Sequence, residues 1–531
     1  MPSPPTLLDR SGAIVLQVGA IAVVLVAAPY KAFDLDRFFV PKELALVVAA
    51  GVVALLCLIQ ARRLLLARVD ELLALFLALG LASALFAVNW WLAGRAVAVS
   101  LAGAAAFWTA RTLAARGLER RIVAALVVAG IVGAVTALLQ AYGVRSDFVS
   151  LNRAPGGTFG NRNFMAHLCV VALPALALTA LRAGTRRRFL GWAAGGGFIA
   201  AALVLSRSRA AWLALLVAAA LMVPLAIVAL RRGRDGVRLR RLLLLPVVAA
   251  LGGGLALVLP NTLDWRSDSP YLDTARSVVD YKEGSGHGRL VQYGTTLRMS
   301  LRHPLLGVGP GNWAVEYPRF AAEGDPSLSS EGMTANPWPS SDWMTFLSER
   351  GVIAFGALVL AMLALAADGL RGVTSGDSAD ARLRAATLLG TLGALLVVGS
   401  FDAVLLLPVP AFVAWAMLGA LSQAGRTRRE VALAPVRRAL AVAATAAAFG
   451  LAATRSAAQL SAMALFSNAS RSTQLERAAQ RDPGSYRIQV RLATGYVNRG
   501  SCTRARAHAL RARALFPNAP APQRILRECG G

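Results

Sequence analysis

Residues 213–259 read LALLVAAALMVPLAIVALRRGRDGVRLRRLLLLPVVAALGGGLALVL. Two apolar runs, 210–230 and 242–259, flank a loop, 231–241, that contains six arginines. A helix that spans a bilayer needs about 20 mostly apolar residues, and arginine-rich loops remain in the cytoplasm. The stretch therefore predicts two transmembrane helices joined by a cytoplasmic loop.

The same pattern recurs along the 531 residues, of which 56% are hydrophobic and only 16% charged. Soluble domains carry roughly 25% charged residues, so one soluble core could not bury this composition. We predict an all-α, polytopic transmembrane bundle of about 12–13 spans. The candidate spans are 12–30, 43–60, 70–88, 94–114, 122–142, 163–181, 189–205, 210–230, 242–259, 344–367, 383–401, 403–421 and 436–454.

The formal net charge of +28 comes mostly from arginines between the apolar runs. There they orient helices and meet anionic lipid, so the charge does not indicate nucleic-acid binding. The arginine-rich loops alternate with loops that are poor in Lys and Arg. The arginine-rich loops are 62–68, 116–121, 186–188, 231–241 and 426–438. The alternation predicts a cytoplasmic N-terminus, with loop 260–343 and the tail 455–531 on the other side.

Two domains are expected: a membrane domain, 1–454, whose loop 260–343 forms a folded cap, and a helical tail, 455–531. Pro483 and Pro517 are 34 positions apart, the period of a tetratricopeptide repeat. A simple amphipathic helical pair remains the alternative for the tail.

Two of the four cysteines, Cys502 and Cys529, lie in the tail. The predicted topology places the tail in an oxidising compartment, so these cysteines are expected to form a disulfide. Two unpaired thiols remain the alternative.

The first chemical motif is GGTFGNRNFMAHL, residues 156–168. Asn161 and Asn163 stand at the predicted start of a helix, and Arg153 and Arg162 flank the glycines. Backbone N–H groups at a helix start suit a phosphate, especially beside arginine. The alternative is a capped turn with arginines at the membrane interface.

The second motif is SRSRAAWLALL, residues 206–216, which places Arg207 and Arg209 at the end of a span opposite to the arginine loops. An arginine at the centre of a membrane helix costs roughly 2.5–3.5 kcal/mol on insertion scales, so it usually has a partner or a function. Snorkelling of these side chains to the interface is the alternative.

The third and fourth motifs belong to the large loop. Residues 284–312 carry Arg289 on an amphipathic stretch that leads into the turn HPLLGVGPGN, residues 303–312. Residues 335–356 re-enter the membrane and carry Asp342. We expect Arg209 and Arg289 to face one cavity, with Arg162 at its rim.

The four motifs, in this order, resemble the O-antigen ligase/polymerase superfamily over residues 1–425. GTFGNRN is similar to the family's GTFGNxN element, and Ser208 to Trp212 resemble its second element. Gly288-Arg289 followed by HPLLGVGPGN is the most specific part of the resemblance.

This resemblance implies a membrane glycosyltransferase, without cofactor or metal, that moves a glycan from a polyprenyl diphosphate such as undecaprenyl diphosphate to a sugar hydroxyl. The reaction would occur on the outer face of a bacterial cytoplasmic (inner) membrane, as in lipopolysaccharide biosynthesis. Arg209 and Arg289 would contact the diphosphate. The further candidates for substrate binding are Arg153, Asn161, Arg162, Asn163 and Arg207.

The chain departs from the family at one position. Alignment on Asp342 and on Glu349-Arg350-Gly351 puts Ser340 where the family has a histidine. That histidine is thought to help deprotonate the acceptor, so Asp342 and His287 become the candidate bases. Arginines would stabilise the charge that develops on the leaving diphosphate.

Several functions remain open at this stage. The resemblance covers polysaccharide polymerases, O-antigen ligases with a glycan or lipid-linked acceptor, and protein O-oligosaccharyltransferases. A non-catalytic paralogue, whose tail binds polysaccharide-assembly proteins, is the alternative from another class. A peptidoglycan polymerase of the shape, elongation and division type would not explain the four motifs.

Overall fold

The computed structural model describes residues 4–149, 153–265, 267–276, 284–422 and 429–530. Within these ranges the regular secondary structure is helical, apart from a single bridge and one antiparallel pair of short strands, β1 (Arg63–Leu66) and β2 (Arg429–Ala432). The predicted all-α class is confirmed.

The helices of the bundle are α1 Leu7–Leu25, α2 Asp36–Gln60, α3 Arg68–Ala84, α4 Trp90–Leu113, α5 Glu119–Ala141, α6 Arg162–Leu181, α7 Arg186–Ser206, α8 Arg209–Arg232, α9 Gly236–Val258, α13 Asp342–Ser375, α14 Ala379–Phe401, α15 Pro408–Leu421 and α16 Pro435–Ser467. The cap contains α10 Pro270–Arg276, α11 Gly284–Arg302 and α12 Trp313–Glu316. The tail contains α17 Ser472–Arg481, α18 Tyr486–Val497, α19 Cys502–Leu515 and α20 Pro520–Glu528.

In the described part of the chain, ten helical segments are long and apolar enough to cross a membrane. One of them, Trp90–Ala141, contains both α4 and α5, which are separated at Gly117 by a backbone φ of +84°. Helices α3 and α15 are shorter, with 17 and 14 residues. The predicted polytopic architecture is confirmed, although the span predicted at 403–421 is helical only from Pro408.

Helices α6 and α14 lie at the centre of the bundle, where most of their residues are buried, whereas α16 lies at its rim. Small residues allow the central helices to approach closely. Gly419 of α15 is an example, since a Cβ there would come within 2.1 Å of the carbonyl oxygen of Phe107 in α4.

The two ends of the bundle differ in charge. After α4, Arg116 forms an ion pair with Asp9 at the start of α1, at the end that carries the arginine-rich loops. Before α4, the side chain of Asn312 in the cap donates to the carbonyl oxygen of Asn89 at 3.1 Å. Because α4 runs between these two contacts, the cap lies at the end opposite to the arginine loops.

The described part of the cap has its own small core around Trp313 and Tyr317. The indole of Trp313 donates to the hydroxyl oxygen of Thr296 at 3.0 Å, and the hydroxyl of Tyr317 donates to a carboxylate oxygen of Asp325 at 2.9 Å. Burial raises the pKa of Tyr317 to about 12, so its phenol keeps the proton that it donates.

The HPLLGVGPGN turn packs on the first part of α13. The N–H groups of Val308 and Gly309 donate to the carbonyl oxygens of Ser348 and Glu349, each at 3.0 Å. These carbonyls are free because α13 breaks at Gly351, whose φ and ψ are 78° and 172°. The family-like turn is therefore a scaffold that fixes the cap to the bundle.

Glu349 and Arg350 belong to the same scaffold. The Glu349 carboxylate accepts hydrogen bonds from the N–H groups of Gly311 at 2.7 Å and Trp313 at 3.1 Å. The guanidinium of Arg350 is buried and lies 4.5 Å from the ring centre of Phe76 in α3. Both side chains are occupied by structural contacts.

The tail is helical, as expected, and docks on the same end of the bundle as the cap. The side chain of Asn89 donates to the carbonyl oxygen of Leu515, and that of Asn518 donates to the carbonyl oxygen of Val315, each at 3.2 Å. That the tail is a tetratricopeptide unit stays a prediction.

Cys502 and Cys529 form a disulfide, as predicted, whereas Cys57 and Cys169 are buried free thiols. The bridge closes a loop with a sequence separation of 27, which stabilises the tail by roughly 3–4 kcal/mol in the chain-entropy model. We expect thiol labelling of the denatured, unreduced protein to modify only Cys57 and Cys169. After reduction all four cysteines should react, and four reactive thiols before reduction would exclude the bridge.

Candidate active site

The GTFGN element fixes the start of α6 inside the bundle. The hydroxyl of Thr158 donates to the carbonyl oxygen of Val24, at the end of α1, at 2.6 Å. Gly160 has a φ of +73°, and a Cβ there would lie 2.3 Å from the ring of Phe38. The glycine is thus required both by its backbone conformation and by a close approach.

The first N–H groups of α6 are already bonded within the protein. The side-chain oxygen of Asn161 accepts from the N–H of Asn163 at 3.0 Å, and the carbonyl oxygen of Arg153 accepts from the N–H of Arg162 at 3.1 Å. Asn161 is therefore the helix cap, and Arg153 has an exposed side chain. An anion near this helix start would be held mainly by side chains.

Two of the predicted arginines share one aromatic ring. The guanidinium groups of Arg162 and Arg207 lie 4.9 Å and 4.7 Å from the ring centre of Trp265. They line a cavity of about 570 Å³ together with Arg145 and Asp264. Three arginines against one carboxylate make this cavity suitable for an anion.

The link between α7 and α8 positions Arg207. This residue has a left-handed backbone, with a φ of 54°, and its Nε donates to the hydroxyl oxygen of Thr274 in the cap at 2.8 Å. Arg209 begins α8 and is half-buried. We predicted that Arg209 and Arg289 would face one cavity. Within the described residues, the lining of this cavity includes Arg162 and Arg207 but neither Arg209 nor Arg289.

Helix α11 holds Arg289 over the ends of α13 and α14. The side chain of Gln292 accepts from the N–H of Ser340 at 2.7 Å. The hydroxyl of Tyr293 lies 2.5 Å from the carbonyl oxygen of Ser340 and 2.8 Å from that of Ser400. Arg289 is one helical turn before Tyr293, so it shares this face of α11.

A second cluster lies beside Arg289. The side-chain amide of Asn163 approaches a carboxylate oxygen of Asp402 at 3.4 Å, immediately after α14. His167 is one turn further along α6 and is fully buried, and neither ring nitrogen has a hydrogen-bond partner among the described residues. Asn163, Asp402 and His167 therefore form one polar cluster at the end of α14. Arg289 lies over the same end of α14, because Tyr293, one turn further along α11, contacts the carbonyl oxygen of Ser400, two residues before Asp402.

Sequence reasoning missed His167 and Asp402. His167 is part of the first motif, and Asp402 directly follows an apolar span. An ionisable residue within or next to a membrane span indicates a functional site, and this signal was present for both. Their proximity depends on the packing of α6 against α14, which no local pattern shows.

The family model described as O-Antigen ligase matches residues 194–361. These residues are therefore similar to the O-antigen ligase family. The predicted resemblance is confirmed for this segment, which contains Arg207, Arg209, Arg289 and the turn at 303–312. No curated protein matches the chain.

The segment that matches the family model also contains the two predicted bases. Asp342 is fully buried, and its carboxylate accepts the N–H groups of Val404 and Leu405, each at 2.9 Å. These contacts hold the irregular segment 402–407 and favour a structural role. His287 is exposed at the start of α11. Its role as a base remains a prediction.

The polar site, which comprises the polar cluster and Arg289, also uses residues on both sides of the segment that matches the family model. Asn163 and His167 precede residue 194, and Asp402 follows residue 361. Arg289 is the member that lies inside this segment. The site therefore joins α6 and the turn after α14 to the large loop that the family model covers.

Proposed function

We propose that this protein transfers a glycan from a polyprenyl diphosphate to a hydroxyl group of a glycan or lipid-linked acceptor. The observation that carries the proposal is the contact between Asn163 and Asp402 at the end of α14, over which α11 holds Arg289, near a cavity lined by arginines. The match to the O-antigen ligase family supports a glycosyltransferase, and the apolar bundle supports a donor that is dissolved in the membrane.

The proposed step is a displacement at the anomeric carbon of the donor. The acceptor oxygen forms the new bond to this carbon, while the bond from the carbon to the diphosphate oxygen breaks and leaves its electron pair on the polyprenyl diphosphate. Arg289 stabilises the negative charge that develops there. The hydroxyl proton passes to Asp402, the partly exposed carboxylate of the cluster.

Asn163 and His167 support Asp402 in this scheme. The Asn163 amide orients the carboxylate by its 3.4 Å contact, and His167 lies one turn further along α6 without exposure to solvent. The adjacent cavity would bind the anionic group and a sugar of the substrate, because Trp265 offers a ring face and Arg162 and Arg207 offer charge.

The reaction would take place on the extracytoplasmic face of a bacterial inner membrane. Two features support this placement: the arginine-rich loops lie at the end opposite to the cap, and the tail beside the cap contains a disulfide. Binding of polysaccharide-assembly proteins by the tail is part of the same proposal.

Arg289→Lys tests the diphosphate role, because lysine keeps the charge but loses the planar fork that matches phosphate oxygens. We expect glycan transfer to fall by about 10²-fold, as when a single donor to a developing oxyanion is removed. Full-length protein in membrane vesicles would receive a polyprenyl-diphosphate-linked oligosaccharide, and released polyprenyl diphosphate would be measured.

Arg302→Lys is the matched control, since Arg302 is the exposed last residue of the same helix. It should transfer at the wild-type rate. A wild-type rate for Arg289→Lys and Arg289→Ala would remove the diphosphate role. If the wild-type protein released no polyprenyl diphosphate with any acceptor, the non-catalytic alternative would replace the proposal.

A further inference from the structure

An apolar cleft separates α16 from α3 and α4, away from the polar site. Helix α16 packs along α2 and hardly touches α4, which leaves a cleft of about 670 Å³. Its walls are mainly apolar side chains of four helices. They include Val47, Leu77, Leu81, Val97, Leu101 and Phe449.

The length of the cleft matches one leaflet of a bilayer. Along α4 its lining runs from Trp90 to Leu101, which corresponds to about 16 Å at 1.5 Å per residue. The hydrocarbon core is roughly 30 Å thick, so half of it is about 15 Å. The walls belong to helices of the membrane bundle, and hence an apolar chain can enter from the bilayer.

Charged side chains close the end of the cleft nearest to the tail. Arg95 donates to Glu43 at 2.7 Å and is paired with Asp36 at 2.8 Å. Arg455 is paired with Asp482 of the tail at 2.6 Å. Two arginines thus stand among three carboxylates, and both arginines remain partly exposed.

We infer that this cleft binds a single zwitterionic phospholipid. The site is independent of the proposed transferase function. The acyl chain lies between α4 and α16, the lipid phosphate meets Arg95 and Arg455, and its ammonium group meets the carboxylates. Both arginines of the lining are already paired with carboxylates, which disfavours lipids with a net negative charge, including polyprenyl diphosphates. The lipid thereby links the rim helix α16, and the tail that it carries, to the core.

Gly94 provides a direct test, because it lines the cleft and a Cβ there would have no atom within 4 Å. Gly94→Leu fills the cleft without a clash and should lower lipid occupancy about ten-fold, as expected for a loss of one decade in affinity. Occupancy would be measured by native mass spectrometry after delipidation in detergent and addition of phosphatidylethanolamine. Thermal unfolding of each variant would confirm that it is folded.

Gly450→Leu is the matched control, since Gly450 lies within α16, has equally open surroundings and is not part of the lining. It should keep the wild-type occupancy. If Gly94→Leu bound as much lipid as the wild-type protein, the proposed lipid site would be wrong. If Gly94→Leu fails to fold, the wild-type protein decides between lipids: stronger retention of phosphatidylglycerol or of a polyprenyl phosphate than of phosphatidylethanolamine would overturn the proposed class.

Discussion

Asp402→Asn should abolish most glycan transfer while leaving the fold intact. The asparagine oxygen can still accept from the N–H of Ala403, which lies 2.9 Å from one oxygen of the present carboxylate. Only the long 3.4 Å contact of Asn163 with the other oxygen is lost. The amide cannot accept the hydroxyl proton of the acceptor, however, and loss of a general base typically costs about 10²–10⁴-fold in rate. The measurement is the rate of polyprenyl diphosphate release by full-length protein in membrane vesicles.

Two comparisons separate a base from a merely structural carboxylate. Asp273→Asn makes the same chemical change at an exposed position of the cap and should leave the rate unchanged. Asp402→Glu should recover part of the rate and shift its dependence on pH, because a carboxylate is restored at an altered position. If Asp402→Asn had wild-type activity, the acceptor proton would leave by another route.

The architecture was predictable from sequence because each part of it depends on local composition. The apolar runs gave the helices, and the alternation of arginine loops placed the cap and tail opposite to them. Some boundaries were misplaced: the span predicted at 12–30 ends five residues after α1, and the span predicted at 403–421 begins five residues before α15. The second case has a clear cause. The first residues of that span are apolar but form an irregular segment, since the Asp342 carboxylate binds the N–H groups of Val404 and Leu405.

The candidate site was only partly predictable. Arginine on the charge-poor side of a membrane protein predicted Arg162, Arg207 and Arg289 as site residues, and their roles stay predictions. The cluster with His167 and Asp402 was not found, because helices α6 and α14 are far apart in sequence and meet only through tertiary packing. The resemblance drew attention to Ser340, just before α13. The structure instead places a buried histidine, His167, on α6.

The sequence of the turn at 303–312 also did not reveal its structural role. HPLLGVGPGN was the most specific element of the resemblance, and its N–H groups bind carbonyls of α13 rather than a substrate. The partner is the break at Gly351, where the N–H of Val352 donates to the carbonyl oxygen of Pro304 at 2.8 Å. The packing of this turn on the bundle therefore depends on one glycine.

Gly351→Ala should prevent stable folding of the cap on the bundle. The φ of 78° combined with a ψ of 172° is accessible essentially only to glycine. A Cβ at this position would lie 2.0 Å from the carbonyl oxygen of Leu305 and 2.3 Å from its carbonyl carbon, both of them backbone atoms. Strain and clash together place the loss in the exceptional range above about 4–5 kcal/mol. Thermal unfolding and yield of the full-length protein in detergent measure it.

Gly356→Ala is the control within the same helix, because a Cβ at Gly356 would have no atom within 4 Å. Alanine is favoured over glycine in a helix by roughly 0.5–1 kcal/mol, so this variant should unfold at the same or a slightly higher temperature. The two substitutions are chemically identical and differ in backbone conformation and surroundings. If Gly351→Ala unfolded at the same temperature as Gly356→Ala, then the turn at 303–312 would not be anchored through the break in α13, and the cap would have to be held by its contacts with the tail and α11.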